Sequence, residues 1–142
     1  MTKIHQYTIM CVSITSQIAA CEALQSGRKA VCEMKREYGR RREFVVDGLN
    51  RIGLTCHKPQ GAFYAFASIM GVGVTSMDFC QQLLKEQKVA VIPGNAFGSS
   101  GEGYIRISYA SSFDNLKEAL RRMEIFLKGK TMAKKTKEDI LK

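Results

Sequence analysis

Residues 89–110 read VAVIPGNAFGSSGEGYIRISYA, and this stretch decides how the sheet of the chain is built. Its first four residues are an apolar run, which predicts a short buried strand. Pro93 ends that strand, because proline has no backbone N–H to give to a neighbouring strand. A loop with four glycines follows, and residues 104–109 predict the last strand of the chain.

The last predicted strand carries one arginine at its centre. Side chains alternate between the two faces of a strand. The apolar face receives Ile105, Ile107 and Tyr109, and the opposite face receives Tyr104, Arg106 and Ser108. A guanidinium fixed there can offer a planar fork of N–H donors to a carboxylate or a phosphate. An arginine on a solvated sheet face is the other interpretation, and the strand pattern alone leaves it open.

The chain before this stretch predicts two helices and two strands. Residues 16–25 predict a short helix with Ser16 as N-cap, and Gly27 ends it. Residues 28–52 carry apolar side chains at intervals of three and four, which predicts one long helix. Residues 54–57 and 62–67 then predict two strands joined by a turn.

Two further helices complete the predicted fold, which is α+β. Residues 77–87 predict a helix capped by Thr75 or Ser76, and residues from 113 predict a last helix capped by Ser111 or Ser112. The predicted order is a long N-terminal helix followed by β-β-α-β-β-α. This order gives a small sheet with helices packed on one face.

Four sequence words, in the same order, closely resemble the C-terminal small domain of the class I/II, fold-type I, pyridoxal-phosphate-dependent aminotransferases. Within that family the chain is most similar to the aspartate and aromatic aminotransferases. The words are KIHQY (residues 3–7), SQIAACEAL (16–24), KPQGAFYAF (58–66) and PGNAFG with GEGYIRISYA (93–98 and 101–110). The resemblance covers about residues 3–127 and implies the small-domain fold of that family.

The resemblance also implies a chemistry and a set of site residues. The complete enzyme would use pyridoxal 5'-phosphate to move an amino group between an amino acid and a 2-oxo acid. Arg106 would bind the α-carboxylate of the substrate, the loop with Gly94 would lie beside it, and Phe63 would line the pocket. His5 and Tyr7 would reach the pocket of the neighbouring subunit in a homodimer. Core packing for Phe63 and turn formation for Gly94 stay open as alternatives.

Residues 1–142 hold only part of the site that the resemblance implies. The lysine that binds the cofactor, the aspartate that pairs with its pyridine nitrogen and most phosphate contacts belong to the region that precedes the matched words. Lys3 follows the place where that lysine falls, so it is not a candidate. We therefore expect the chain by itself to contain no catalytic residue, to bind no cofactor and to be inactive.

The formal net charge of +9 raises the question of a nucleic-acid partner. Residues 128–142 hold six of the lysines against two acidic residues, in a tail that the composition predicts to be disordered or a frayed helix. Most of the other excess charge lies on the long predicted helix, where glutamates interrupt it. Because no nucleic-acid-binding motif accompanies these residues, we expect no nucleic-acid partner.

Other bulk features indicate a cytoplasmic protein. No apolar run approaches the roughly 20 residues that a membrane-spanning helix needs, and the N-terminus is a poor signal peptide. The five cysteines contain no C-x-x-C pair, which favours reduced thiols. Because the chain has only His5 and His57 as imidazoles, we expect no metal site.

The sequence divides into three regions. Residues 1–15 are almost uncharged and β-prone, typical of an aggregation-prone strand, and we expect a large domain or a dimer partner to cover them. Residues 16–127 form the small domain, and residues 128–142 form the basic tail. Two alternatives remain: a standalone protein-interaction domain that docks through its N-terminal segment, and a basic nucleic-acid-binding module whose binding would weaken with salt.

Overall fold

The structure is a computed structural model that describes the backbone of residues 1–9 and 11–140 and the side chains of residues 1–9 and 11–130. Its contacts separate the chain into two compact units, Met1–Glu37 and Tyr38–Lys142. The helices and strands, in chain order, are α1 (Thr2–Ile9), α2 (Ile14–Ser26), α3 (Arg28–Arg51), β1 (Tyr64–Ser68), α4 (Ser76–Gln87), β2 (Ile92–Pro93), β3 (Tyr104–Ser108) and α5 (Phe113–Ile140).

The N-terminal segment is helical where its composition indicates a strand. Thr2–Ile9 form α1, and α2 begins at Ile14 with Ser13 as its N-cap, where the sequence predicts Ser16. The amide N–H of Ser16 donates to Oγ of Ser13. A helix pairs its own backbone groups, whereas a strand needs a neighbouring strand to receive them, and none of the described strands lies in this unit.

The apolar side chains of the first unit are exposed. No residue of α1 or α2 is buried, and Tyr7 and Leu24 are each 89% accessible. In the described part of the chain no single helix is both long and apolar enough to cross a membrane. Only α1 and α2 taken together reach that length and composition, and they are bent by 111° relative to each other.

The second unit begins within α3, whose last turns enter the core. Val45, Val46 and Leu49 are buried there, and Gly53 follows the helix with a φ of 90°. Only glycine adopts this left-handed conformation without strain, which is why the helix ends at this point. Leu54 then turns back into the core with 1% exposure.

The strand that the sequence predicts for residues 54–57 is reduced to a single bridge between Cys56 and Ala67. Asn50, in the last turn of α3, accounts for this. Its Oδ1 accepts from the N–H of Cys56 at 3.0 Å, and its Nδ2 donates to the carbonyl of Cys56 at 3.1 Å. Because a side chain uses both backbone groups of Cys56, they are not available for a longer ladder. The described sheet therefore has three strands, where the sequence predicts four.

The three strands pair antiparallel in the order β1-β3-β2. Between β1 and β3, Phe66 lies opposite Arg106 and Ala67 lies opposite Ile105. Residues that lie directly opposite each other share one face of the sheet. On the other edge, Ile92 lies opposite Arg106. The central strand β3 thus has neighbours on both sides at the position of Arg106.

The strand predicted for residues 89–92 is also shorter in the structure, where only Ile92–Pro93 pair with β3. Helix α4 ends through Lys88, which has a left-handed conformation with a φ of 57°. Nη1 of Arg122 on α5 donates to the carbonyl of Gln87 at 3.1 Å. This contact holds the residues after α4 against α5, and the chain reaches the edge of β3 only at Ile92.

Helices cover one face of the sheet, as the α+β prediction requires. Ala65, Ala67 and Ile105 point from that face into a core to which three helices contribute, with Leu49 from α3, Phe79 and Leu83 from α4, and Leu116, Met123 and Phe126 from α5. The backbone of the basic tail is part of α5 as far as Ile140. The predicted disorder or fraying of that tail stays a prediction. Residues 141 and 142 lie outside the part of the chain that the structure describes.

Candidate functional site

Arg106 lies at the centre of β3 on the face that the helices do not cover. Its neighbour Ile105 is fully buried on the opposite face, as the alternation of the strand predicts. Across the sheet, Phe66 on β1 and Ile92 on β2 share the face of Arg106, and they are 39% and 40% exposed. This open face, defined here by Tyr64, Phe66, Ile92, Tyr104, Arg106 and Ser108, is largely apolar around a single guanidinium.

Two aromatic rings flank that guanidinium. Cζ of Arg106 lies 4.3 Å from the ring centroid of Tyr64 and 4.5 Å from that of Phe97. Phe66 extends the aromatic surface, since its ring stacks on Tyr104 at 5.6 Å and meets the edge of Phe97 at 6.1 Å. In the described part of the chain no acidic side chain forms an ion pair with Arg106. Its charge is therefore available to a ligand.

The glycine loop places Phe97 over the guanidinium. Gly94–Phe97 form a short 3₁₀ helix directly after β2. A Cβ on Gly94 would lie 2.1 Å from the carbonyl oxygen of Gly101, and a Cβ on Gly101 would lie 2.1 Å from that of Gly94. Two segments of backbone thus pass so close that neither position admits a side chain. The loop folds tightly for this reason, and it carries the ring of Phe97 back to β3.

Ser76 and Glu102 fasten the other end of the loop to helix α4. The N–H of Ser76 donates to Oε1 of Glu102 at 2.7 Å, and the N–H of Gly103 donates to Oγ of Ser76 at 2.9 Å. The hydrogen bond from Ser76 is the main reason that the pKa of Glu102 lies below its usual value. The two residues lie 26 positions apart with no motif that connects them, so the sequence does not predict this pair.

Phe63 lies next to Tyr64, one of the two rings that flank the guanidinium. Its ring packs against Tyr64 at 4.6 Å and Tyr38 at 6.1 Å, and it is 39% exposed. The preceding Ala62 has a φ of 56°, unusual for a residue other than glycine. The hydroxyl of Tyr109 donates to the carbonyl of Ala62 at 3.0 Å and holds this turn. This turn directly precedes β1, whose first residue, Tyr64, contacts the guanidinium of Arg106.

The predicted site residues are not all in one place. One region of the second unit contains Arg106, Gly94 and Phe63. Phe63 belongs to it because its ring packs on Tyr64, which contacts Arg106. His5 and Tyr7 lie on α1 in the first unit, where both are exposed. Tyr64 and Phe97, which flank the guanidinium, are additional site residues that sequence reasoning does not single out. Their aromatic character within the quoted words is the signal that could have found them.

The arrangement is suited to binding a planar anion. The rings of Tyr64 and Phe97 offer no oxygen acceptor to the guanidinium, and a carboxylate accepts two of its N–H donors in parallel. The described residues contain no group of three or more histidine, cysteine, aspartate or glutamate side chains that could hold a metal ion. The site thus offers one guanidinium in an aromatic setting, which is suited to a carboxylate or a phosphate.

The chain matches the family model described as aminotransferase class I and II over residues 3–123. It is 55% identical over 127 residues to the Bacillus subtilis protein YugH, covering 89% of this chain and 33% of that protein. It is 48% identical over 134 residues to an aspartate aminotransferase of Pyrococcus abyssi, covering 93% of this chain and 34% of that enzyme.

A solved structure has the same fold. The aromatic aminotransferase from Pyrococcus horikoshii superposes with a TM-score of 0.87 at 49% identity, covering 91% of this chain and 35% of that one. The chain thus spans about a third of the length of the proteins that it matches. The matched third contains the open face with Arg106 and its two flanking rings.

Proposed function

The chain belongs to the class I and II aminotransferases, and from this membership we propose that it forms the small-domain portion of an enzyme that moves an amino group between an amino acid and a 2-oxo acid. In this role Arg106 binds the α-carboxylate of the substrate. The loop at Gly94 lies beside the substrate, and Phe63 lines the wall of the pocket.

The observation that supports this proposal is the guanidinium of Arg106 on the open face. It is half-buried, flanked by Tyr64 and Phe97, and joined by no acidic side chain of the described residues. A carboxylate in its plane would gain two charged hydrogen bonds in a largely apolar setting. Binding at the carboxylate end leaves the Cα bonds of the amino acid free to be oriented for reaction.

The family implies pyridoxal phosphate, which supplies an electron sink for the amino acid when it is bound. The open face fits the substrate carboxylate but not this cofactor. It offers one guanidinium, aromatic rings and a serine, with no lysine amine for the aldehyde and no carboxylate for the pyridine nitrogen. The lysines with described ion pairs, Lys58, Lys128 and Lys130, meet glutamates on helices. We therefore assign the cofactor site to parts of the complete enzyme outside residues 1–142.

Two further expectations belong to the same proposal. The polypeptide of residues 1–142 alone does not transaminate, because the open face offers no lysine amine to bind the aldehyde of the cofactor. The complete enzyme is a homodimer in which the first unit is covered and His5 and Tyr7 approach the pocket of the neighbouring subunit. The exposure of every described residue of α1 supports this covering, since exposed Ile4 and Tyr7 are apolar surface that association would bury.

A chimera tests the proposal. The matching third of the Pyrococcus horikoshii aromatic aminotransferase is replaced by residues 1–142, and turnover of an aromatic amino acid is measured with pyridoxal phosphate and a 2-oxo acid. The chimera should be active and the isolated chain inactive. Arg106→Ala should lower kcat/KM about 10- to 150-fold, since charged hydrogen bonds are worth about 1.5–3 kcal/mol. Arg51→Ala, on the exposed end of α3, is the matched control. Equal turnover of Arg106→Ala and the parent chimera would refute the carboxylate role.

The exposed first unit also favours a second candidate, a protein-interaction domain with the same fold. Its prediction differs at one point. An interaction domain would keep its binding when Arg106 is replaced, whereas the carboxylate site would not. A chimera that is inactive, while the 142-residue chain still captures a partner through residues 1–37, would favour this candidate.

A further inference from the structure

We propose that Tyr64 and Phe97 are positioning residues whose rings form a clamp: they hold the guanidinium of Arg106 through two cation–π contacts and so orient its N–H groups for a carboxylate. The inference rests on the proposed carboxylate role of Arg106 and adds to it two residues from different parts of the chain. Tyr64 comes from β1 and Phe97 from the glycine loop, 33 positions later.

Two separate rings contact the guanidinium. Each ring centroid lies within 4.5 Å of Cζ, with Cζ over the ring. Among the described ring contacts, Tyr64 meets Phe63, and Phe97 meets Phe66, but Tyr64 and Phe97 do not meet each other. Each ring therefore contacts the guanidinium without support from the other.

Two ring contacts restrict the conformations that the side chain of Arg106 can adopt. The negative π-faces attract the cation, and they offer no acceptor for its in-plane N–H groups. A carboxylate can therefore bind those N–H groups with two parallel hydrogen bonds. An unclamped arginine would have to give up side-chain freedom when the carboxylate binds, and the rings remove part of that loss in advance.

Each ring is held by contacts of its own. Tyr64 is paired with Ser108 in the β1–β3 ladder, and its ring packs on Phe63. The ring of Phe97 contacts that of Phe66, and its backbone position depends on the close approach of Gly94 and Gly101. The glycine loop therefore acts on Arg106 through Phe97. A change in loop conformation would remove one of the two ring contacts of the guanidinium without changing the strand that carries Arg106.

The clamp predicts a graded loss when a ring is removed. Ordering a long, flexible side chain on binding lowers affinity roughly two- to twelvefold, and the two rings remove part of this loss in advance. Tyr64→Leu and Phe97→Leu should each weaken carboxylate binding about three- to tenfold. Tyr64→Phe and Phe97→Tyr keep a ring and should bind like the parent chain, which distinguishes the ring from the hydroxyl and from simple volume.

Nuclear magnetic resonance of the 142-residue chain tests this directly. With 15N-labelled arginine, the Nε–Hε signal of Arg106 is assigned by its loss in Arg106→Lys, and chloride is replaced stepwise by acetate at constant ionic strength. The ring-current shift of that signal reports the clamp, and the change of its chemical shift with acetate concentration reports carboxylate binding. The signal of Arg28, exposed in the first unit, is the internal control. Backbone amide spectra show whether each variant is folded.

Three outcomes are distinguishable. Loss of the ring-current shift together with weaker acetate binding in the leucine variants, restored in Tyr64→Phe and Phe97→Tyr, supports the clamp. Equal acetate binding in the parent and in folded leucine variants overturns the clamp and leaves the carboxylate role standing. No response of Arg106 to acetate beyond that of Arg28 overturns the carboxylate role, and the clamp with it.

Discussion

Replacing Gly94 by alanine should disrupt the loop that positions Phe97. The added Cβ would lie 2.1 Å from the carbonyl oxygen of Gly101 and 2.7 Å from that of Tyr104. Ordinary carbon–oxygen contacts are about 3.3 Å or longer, so the two backbones would have to separate by about 1.2 Å. Both obstacles are backbone atoms, so no side-chain rotation can relieve them.

The loop has little freedom to make that movement. On one side Pro93 pairs with Ile105 in the sheet, and on the other side Ser76 holds Glu102 and Gly103. Overpacking of a well-packed site typically costs 1–3 kcal/mol and occasionally more. Because the clash here is with anchored backbone, we expect the second unit to lose about 3 kcal/mol. For a domain of this size that corresponds to a fall in Tm of roughly 12–24 °C.

The near-ultraviolet circular dichroism of tyrosine is the appropriate probe. Four of the five tyrosines lie in the second unit, so the signal near 275 nm follows its unfolding rather than that of the first unit. Gly39→Ala is the matched control, because a Cβ there meets nothing within 4 Å in the middle of α3. Helix propensity predicts that this change stabilises by about 0.5–1 kcal/mol. Gly94→Ala with the stability of the parent chain would show that the close passage of Gly94 and Gly101 does not exist in solution.

Two other predictions concern ionisable groups. Arg121 and Arg122 lower the pKa of Glu118 from 4.5 to about 2, so its stabilising contribution is present above about pH 4.5 and lost between pH 4.5 and 2. Glu118→Gln should therefore flatten the acid dependence of stability in that range, and unchanged acid titrations followed by circular dichroism would contradict this. Burial raises the pKa of Cys80 to about 11, which leaves roughly one thiolate in a thousand at pH 8. At that pH iodoacetamide should modify exposed Cys11, Cys21 and Cys32 well before Cys80, as mass spectrometry can show, and equal rates in folded protein would refute the burial.

The sequence predicts the open face because its signal is local. Alternation within six residues is enough to put Ile105 and Arg106 on opposite sides, and a strand allows no other arrangement of neighbouring side chains. The glycines of the loop likewise predict a turn. The α+β class follows from apolar spacing of two in some segments and of three to four in others.

Long-range partners account for what the sequence does not predict. Residues 54–57 have the composition of a strand, and Asn50 takes the backbone groups of Cys56 from outside that segment. Residues 89–91 are apolar enough for a strand, and Arg122 holds the chain next to them through Gln87. In each case one polar side chain from another element decides where the ladder ends, and no property of the strand sequence itself contains that information.

The position of the Arg106 guanidinium likewise depends on residues outside its own strand. Pairing in β3 fixes the Cα of Arg106, but a long side chain on an open face still has many rotamers. Tyr64 limits them from within the sheet. Phe97 limits them from the loop, and its place depends on the passage of Gly94 against Gly101 and on the hydrogen bonds between Ser76 and Glu102. A disturbance at Ser76, on the far side of the loop, should therefore reach the guanidinium through Phe97 while leaving the ladder of β1 and β3 intact.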